Sequence, residues 1–175
     1  MAIEVVPAGV DDVPMVLAIL GEASAWLRSR GVLQWPERFP EELLQRSAAS
    51  QELYVVLDEG ERAGTVTLQW LDPMFWGDRA DAGFIHRLAV SRVHAGIGKA
   101  VVAWAEREVV AHGREYLCLD TLSSNTRLRR YYEELGFKPV GTVSGPDNHP
   151  HSAAHGHWEA VLYEKRLAVG ALDAK

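Results

Sequence analysis

The chain has 175 residues, 47% apolar and 24% charged, with a net charge of −6 and one cysteine. That balance fits one globular domain with a substantial core and speaks against a disordered or membrane-spanning chain. The acidic charge argues against a general nucleic-acid surface, which needs a basic stripe. A lone cysteine, Cys118 in the apolar "YLCLD", rules out an internal disulfide framework and points to the cytoplasm and to buried packing. The opening "MAIEVVPAGVDD" has neither the basic region nor the cleavage site of a signal peptide.

"AIEVV" reads as a first strand. Val13, Val16, Leu17, Leu20 and Leu27 fall on one helix face, with Asp11 or Asp12 as a cap and Gly31 as the stop. "PEELLQRSA" predicts a second helix with Pro40 in its first turn. "ELYVVLDEGERAGTVTLQW" predicts two strands around a "DEGE" turn, and "LDPMFWGDRADAG" a loop. "FIHRLAV" is the next strand, followed by a helix from Gly98 through Val110. "EYLCLDTL" is a strand, "NTRLRRYYEEL" a helix ended by Gly136, and "FKPVGTV" and "HWEAVLYEKRL" close the chain as strands. The order β-α-α-β-β-β-α-β-α-β-β predicts an α/β (α+β) fold. Its mixed, mostly antiparallel, twisted sheet of about seven strands carries helices on both faces.

The glycines of "RVHAGIGKA" sit between a strand and a helix, where free backbone N–H groups and the helix dipole favour an anion. A tight turn with no ligand is the competing reading of that stretch alone. Neither the Walker arrangement nor the dinucleotide fingerprint is present.

Together, "HRLAVSRVHAGIGKAVVAWAE" and "LDTLSSNTRLRRYYEELGFKPVG" resemble the GNAT superfamily of acetyl-coenzyme A-dependent N-acetyltransferases. The family's pyrophosphate loop, Gln/Arg-x-x-Gly-x-Gly/Ala, falls on Ala95, Gly96, Ile97, Gly98, Lys99 and Ala100, with Ala95 replacing the polar first residue. Asn125, Tyr132 and "EELGF" match the second block, and "LYEKRL" the last strand. The resemblance implies one domain spanning 1–175, with acetyl-coenzyme A between "FIHRLAV" and "EYLCLD". Its pantetheine would pair near Leu88, Ala89 and Val90, its pyrophosphate would lie on Ala95 to Ala100, and Asn125 and Tyr132 would line the site.

Direct transfer needs a base for the amine, a donor for the oxyanion and a proton for the leaving thiolate. Tyr132 is the candidate acid by its place in the family pattern, with Tyr131 the alternative. The resemblance implies two positions for the base: one falls on Phe84, which cannot accept a proton, and the other, four residues before Val90, on His86, on a face expected to include Phe84 and Leu88. A packing histidine, or no base at all, are the competing readings.

Trp35 and Trp76, in apparent loops, are candidate acceptor contacts, whereas Trp26 and Trp104 read as helix packing. Glu37, Glu41 and Asp72 are candidate partners for a cationic amine. His149, His151, His155 and His157 crowd nine residues, but apart from Asp147 and Glu159 no Cys or carboxylate completes a metal site, and the resemblance implies a loop between the last two strands, bordering the acceptor pocket. The leading expectation is acetyl transfer to a primary amine of a small molecule. The alternatives are a protein N-terminus or lysine as acceptor, and a coenzyme A-binding module without catalysis. The family also implies a possible homodimer.

Overall fold

The computed structural model describes residues 2–145 and 158–168; the four histidines of the 149–157 stretch lie outside them. The strands are β1 (Ile3–Pro7), β2 (Leu53–Asp58), β3 (Glu61–Gln69), β4 (Ala82–Val90), β5 (Tyr116–Leu122), β6 (Lys138–Gly145) and β7 (Trp158–Arg166). The helices are α1 (Val13–Ser29), α2 (Glu41–Ala49), α3 (Pro73–Trp76), α4 (Gly98–Ala111) and α5 (Thr126–Glu134). The seven strands form one sheet in the order β1-β2-β3-β4-β5-β7-β6, antiparallel throughout except between β4 and β5.

Helix periodicity divides the core between the sheet's two faces. Val13, Val16 and Leu20 of α1 and Leu44 and Ala48 of α2 bury one stripe each, together with Val55 and Ala89. Val101, Val102, Ala105 and Val109 of α4, with Tyr132 of α5, bury the opposite face against Val66, Leu68 and Ile85. Helix ends follow local chemistry. Gly31, Gly113 and Gly136 take positive φ just past α1, α4 and α5, where a side chain would be strained. The Asn125 Oδ1 atom accepts from the Leu128 amide at 3.2 Å and caps α5.

Two local predictions are corrected. The segment 71–83 is not all loop, because Pro73–Trp76 closes one helical turn with Asp72 as its cap, Oδ1 accepting from the Phe75 amide. And β4 does not alternate uniformly. Thr67 pairs with His86 but Thr65 pairs with Ala89, so Arg87 and Leu88 together oppose Val66 in a bulge, with Arg87 at φ +50°. Phe84, His86 and Ala89 therefore share one face, while Leu88 turns to the other with Ile85.

Beside this bulge, Gly64 lies so close to β4 that an added Cβ would stand 2.5 Å from the Ala89 carbonyl oxygen. Since that atom is backbone, Gly64→Ala is expected to cost on the order of 3 kcal/mol of stability in urea denaturation. A loss below about 1 kcal/mol would show that the bulge relaxes freely.

Candidate active site

β4 and β5 are paired only where Ala82, Gly83 and Phe84 meet Tyr116, Leu117 and Cys118. Beyond that point the parallel strands part, and the bulge at Arg87 falls just past the divergence. The opening is a cavity of about 950 Å³ reaching from the loop before α4 to the segment between α1 and α2. Leu88, Ala89 and Val90 line it.

At one end, the backbone N–H groups of Gly96, Ile97, Gly98 and Lys99 make no hydrogen bond within the described residues. They are the orphan donors of a helix start, four in succession, at the positive end of the α4 dipole. Gly96, at φ +104°, holds a conformation that side chains rarely adopt. Gly98 leaves room for the Tyr131 hydroxyl, which would stand 2.8 Å from an added Cβ. This donor set suits a pyrophosphate. It is narrower than predicted: the Ala100 amide already donates to the Ile97 carbonyl at 2.9 Å, and the Ile97 side chain is buried in the core. Arg30, Arg92, Lys99 and Arg127 also line the cavity, a cationic rim on an acidic chain. Arg92 and Arg30 lie over the Trp26 ring at 4.8 and 5.5 Å, so Trp26 belongs to this rim rather than to plain helix packing.

Midway along the cavity, strand register assembles the titratable groups. Phe84 is opposite Cys118, so two residues further along each strand His86 and Asp120 stand on the same face. His86 Nδ1 is 3.8 Å from Asp120 Oδ1, and Nε2 is 3.2 Å from Asp72 Oδ2. The Asp72 contact is too poorly directed for a hydrogen bond and leaves both atoms enclosed and, among the described residues, unsatisfied. His86 and Asp72 are buried, whereas Asp120 keeps 24% of its side chain open. Burial pushes the Asp120 carboxyl above the usual aspartate value, and His86 pulls against that rise.

Tyr131 and Tyr132 both border the cavity, but at different depths. Tyr132 is 6% exposed, its ring edge-on to Phe137 and Tyr131, and its hydroxyl makes no hydrogen bond within the described residues. Burial, then Tyr131 and Asp120, push its phenol well above the ordinary tyrosine range. Tyr131 is half-buried, with its hydroxyl beside Gly98.

At the acceptor end, Trp35, Phe75 and Trp158 line the wall. Trp76 does not. It packs on Phe84 at 5.9 Å and lies under the Arg79 guanidinium at 5.3 Å, outside the cavity. Trp104 packs edge-on to Tyr54. Glu37 and Glu41 are also off the lining, and Asp72 stands behind His86 rather than in the pocket. The side chain of Asn125 makes two hydrogen bonds, its Oδ1 capping α5 and its Nδ2 donating to Gln34 Oε1 at 2.6 Å. It ties the α1–α2 segment to the β5–α5 turn while also lining the cavity. Cys118 is free and buried, its thiol pushed up to about 12 by burial, and has no nucleophilic character.

Asp120, Arg87 and Gln34 were missed in the sequence. The signal for Asp120 was present in "YLCLD", where it shares the strand face of Cys118, but it needed the β4–β5 register to acquire meaning. Among the described residues, no group of histidine, cysteine and carboxylate side chains could hold a metal, and no helix is long and apolar enough to cross a membrane.

Comparison with known proteins follows the same lines. The model of the Acetyltransferase (GNAT) family matches residues 21–137. The uncharacterized N-acetyltransferase YesJ of Bacillus subtilis is 29% identical over 147 residues, covering 77% of this chain and 81% of that protein. A GNAT-family acetyltransferase structure from Listeria monocytogenes superposes with a TM-score of 0.73 at 23% identity, over 94% of this chain and 95% of the other. The putative acetyltransferase yncA of Salmonella typhimurium, solved with its cofactor acetyl-CoA, gives 0.68 at 15% identity over 100% and 98%.

Proposed function

Because the chain belongs to the GNAT acetyltransferase family and takes its acetyl group from acetyl-coenzyme A, we propose that it transfers that group directly to a primary amine of a small molecule. One observation carries the reading: strand register sets His86 and Asp120 in the same cavity as the Tyr132 hydroxyl, between an anion cradle and an aromatic wall. The amides of Gly96 to Lys99 hold the pyrophosphate, and the free edge of β4 past Phe84 offers backbone groups to the pantetheine arm. Bound in this way, acetyl-coenzyme A supplies an activated acyl group with a thiolate as its leaving group.

Asp120, with His86 beside it, accepts the proton of the incoming ammonium. Desolvation lifts the Asp120 carboxyl above its ordinary pKa, and a carboxylate so raised is a stronger base than a fully solvated one. Tyr132 donates to the departing sulfur. Its raised pKa keeps the phenol protonated in the resting enzyme, so the donor is in place before the sulfur acquires charge. Trp35, Phe75 and Trp158 offer an apolar wall to the acceptor.

Screening amines with acetyl-coenzyme A while following thiol release tests the reading. Acetylation of peptide N-termini alone would move the acceptor to proteins, and tight cofactor binding with no acceptor at all would favour a binding module.

Asp120→Asn separates the base from its neighbours. The folded-state pKa of Asp120 is raised, so ionising it costs stability as pH climbs from the unfolded value through the folded one, and the full penalty remains above it. The asparagine variant is therefore expected to melt higher than wild type at pH 7 while losing roughly 10²-fold in kcat. Unchanged turnover would remove Asp120 from the chemistry; a lower melting point would mean that its charge is stabilised by His86.

A further inference from the structure

We propose that Arg87 is an anchor for a carboxylate on the acceptor, so that the substrate is an amine carrying its own negative charge, of the aminocarboxylate class. The inference rests on the acetyltransferase reading above and narrows its substrate.

Arg87 is buried, 7% exposed, and lines the cavity. A buried cation is ordinarily paired with a carboxylate. Arg87 is not: no carboxylate oxygen lies within 4 Å among the described residues, and its contacts are two long bonds to hydroxyls, Nε to Thr67 Oγ1 and Nη2 to Ser47 Oγ, both 3.3 Å. Its Nη1 makes no bond among the described residues and is not among the fully enclosed, unsatisfied atoms, so one arm of the fork keeps accessible area and hydrogen-bonding capacity in a residue that lines the cavity. Burial lowers its pKa to about 10, against the pull of Glu52, Asp120 and Asp72, so it remains charged at neutral pH.

The backbone that presents it is unusual. Arg87 is the bulge residue at φ +50°, a conformation that side chains other than glycine's rarely adopt. The bulge turns it towards Thr67 and Ser47, on the side of the sheet covered by α1 and α2, where the acceptor wall lies. The pyrophosphate cradle is at the other end of the cavity and already has its own donors and cations. Asp120 and Arg87 thus present opposite charges within one cavity, Asp120 for the ammonium and Arg87 for a carboxylate. A planar guanidinium edge with a free N–H matches a carboxylate in geometry as well as charge.

Matched probes test this, first on the wild-type enzyme and then on Arg87 variants. Wild type would be assayed with ω-aminocarboxylates from glycine to 6-aminohexanoate, with alkylamines of equal length, and with α-amino acids beside their α-carboxamides. A preference for carboxylates of at least ~10²-fold in kcat/KM is expected, because a site built for a charged partner rejects the analogue lacking it. In Arg87→Gln the ratio should collapse towards ~1, and in Arg87→Lys it should fall between, since charge survives but the fork does not. Alkylamines or carboxamides acetylated as well as the carboxylates would overturn the inference and leave the acetyltransferase reading standing. Equal losses on both probe classes in Arg87→Gln would also overturn it, assigning Arg87 to the reacting carbonyl or to the bulge. Calorimetry of the same amino acids on protein saturated with acetyl-coenzyme A provides a readout independent of turnover. Binding that Arg87→Gln abolishes supports the anchor even if no acetylation occurs, and no binding in wild type ends it.

Discussion

Tyr132→Phe is expected to lower kcat about 10²-fold while leaving the KM for acetyl-coenzyme A nearly unchanged. The variant removes one oxygen and keeps the ring, which packs 5.6 Å from Phe137 and 5.2 Å from Tyr131. Because the hydroxyl has no hydrogen-bond partner within the described residues, its loss orphans no buried group and the fold should stay intact. What disappears is a donor that matters only when the sulfur gains charge, so the penalty falls on the transition state. The low end of the usual ~10²–10⁴-fold range is expected, because a thiolate is a tolerable leaving group even unaided. Tyr131→Phe is the internal control. Its hydroxyl is beside Gly98 at the cradle, so any effect should appear in the KM for acetyl-coenzyme A rather than in kcat. The opposite pattern would transfer the acid role to Tyr131, and two active, unaffected variants would eliminate a phenolic acid.

Gly98→Glu is expected to abolish acetyl-coenzyme A binding, with an affinity loss of at least ~10²-fold in calorimetric titration. Two effects combine. The new side chain enters where the Tyr131 hydroxyl already stands 2.8 Å from the Cβ position, and its carboxylate competes with phosphate for the four free amides of Gly96 to Lys99. Gly98→Ala separates the two, since it brings the contact without the charge. The obstructing atom there is the far end of a side chain, which can swing aside, so only a several-fold loss is expected, well short of the glutamate's ~10²-fold. A folded Gly98→Glu protein with wild-type affinity would remove the phosphate cradle.

The two variants also differ in how readable their targets were. The loop around Gly98 was legible locally as a strand–glycine–helix junction, a property of backbone sterics, but only the family pattern favoured an anion cradle over a bare tight turn. The same is true of the helix stripes on α1 and α4, the glycine stops after α1, α4 and α5, and the strand count, all of which depend on residues close together in sequence. Tyr132 was reachable too, but only through its family pattern, since helix geometry could not tell it from Tyr131. Its deeper burial is a consequence of packing against Phe137.

Other features required contacts between distant segments. Uniform alternation put Leu88 on the face of His86, and the bulge at Arg87 reversed that, because the extra residue is defined only by the β3 partner it lacks. Trp76 looked like an acceptor contact until α3 folded it onto Phe84, and Asp72 looked like a pocket carboxylate until the same turn placed it behind His86. Asp120 is an ordinary strand aspartate in the sequence; beside His86 and partly desolvated, it becomes the base candidate. Local chemistry thus determines elements and turns, whereas burial, pairing register and the charge left without a partner arise only when β4 and β5 meet and then part.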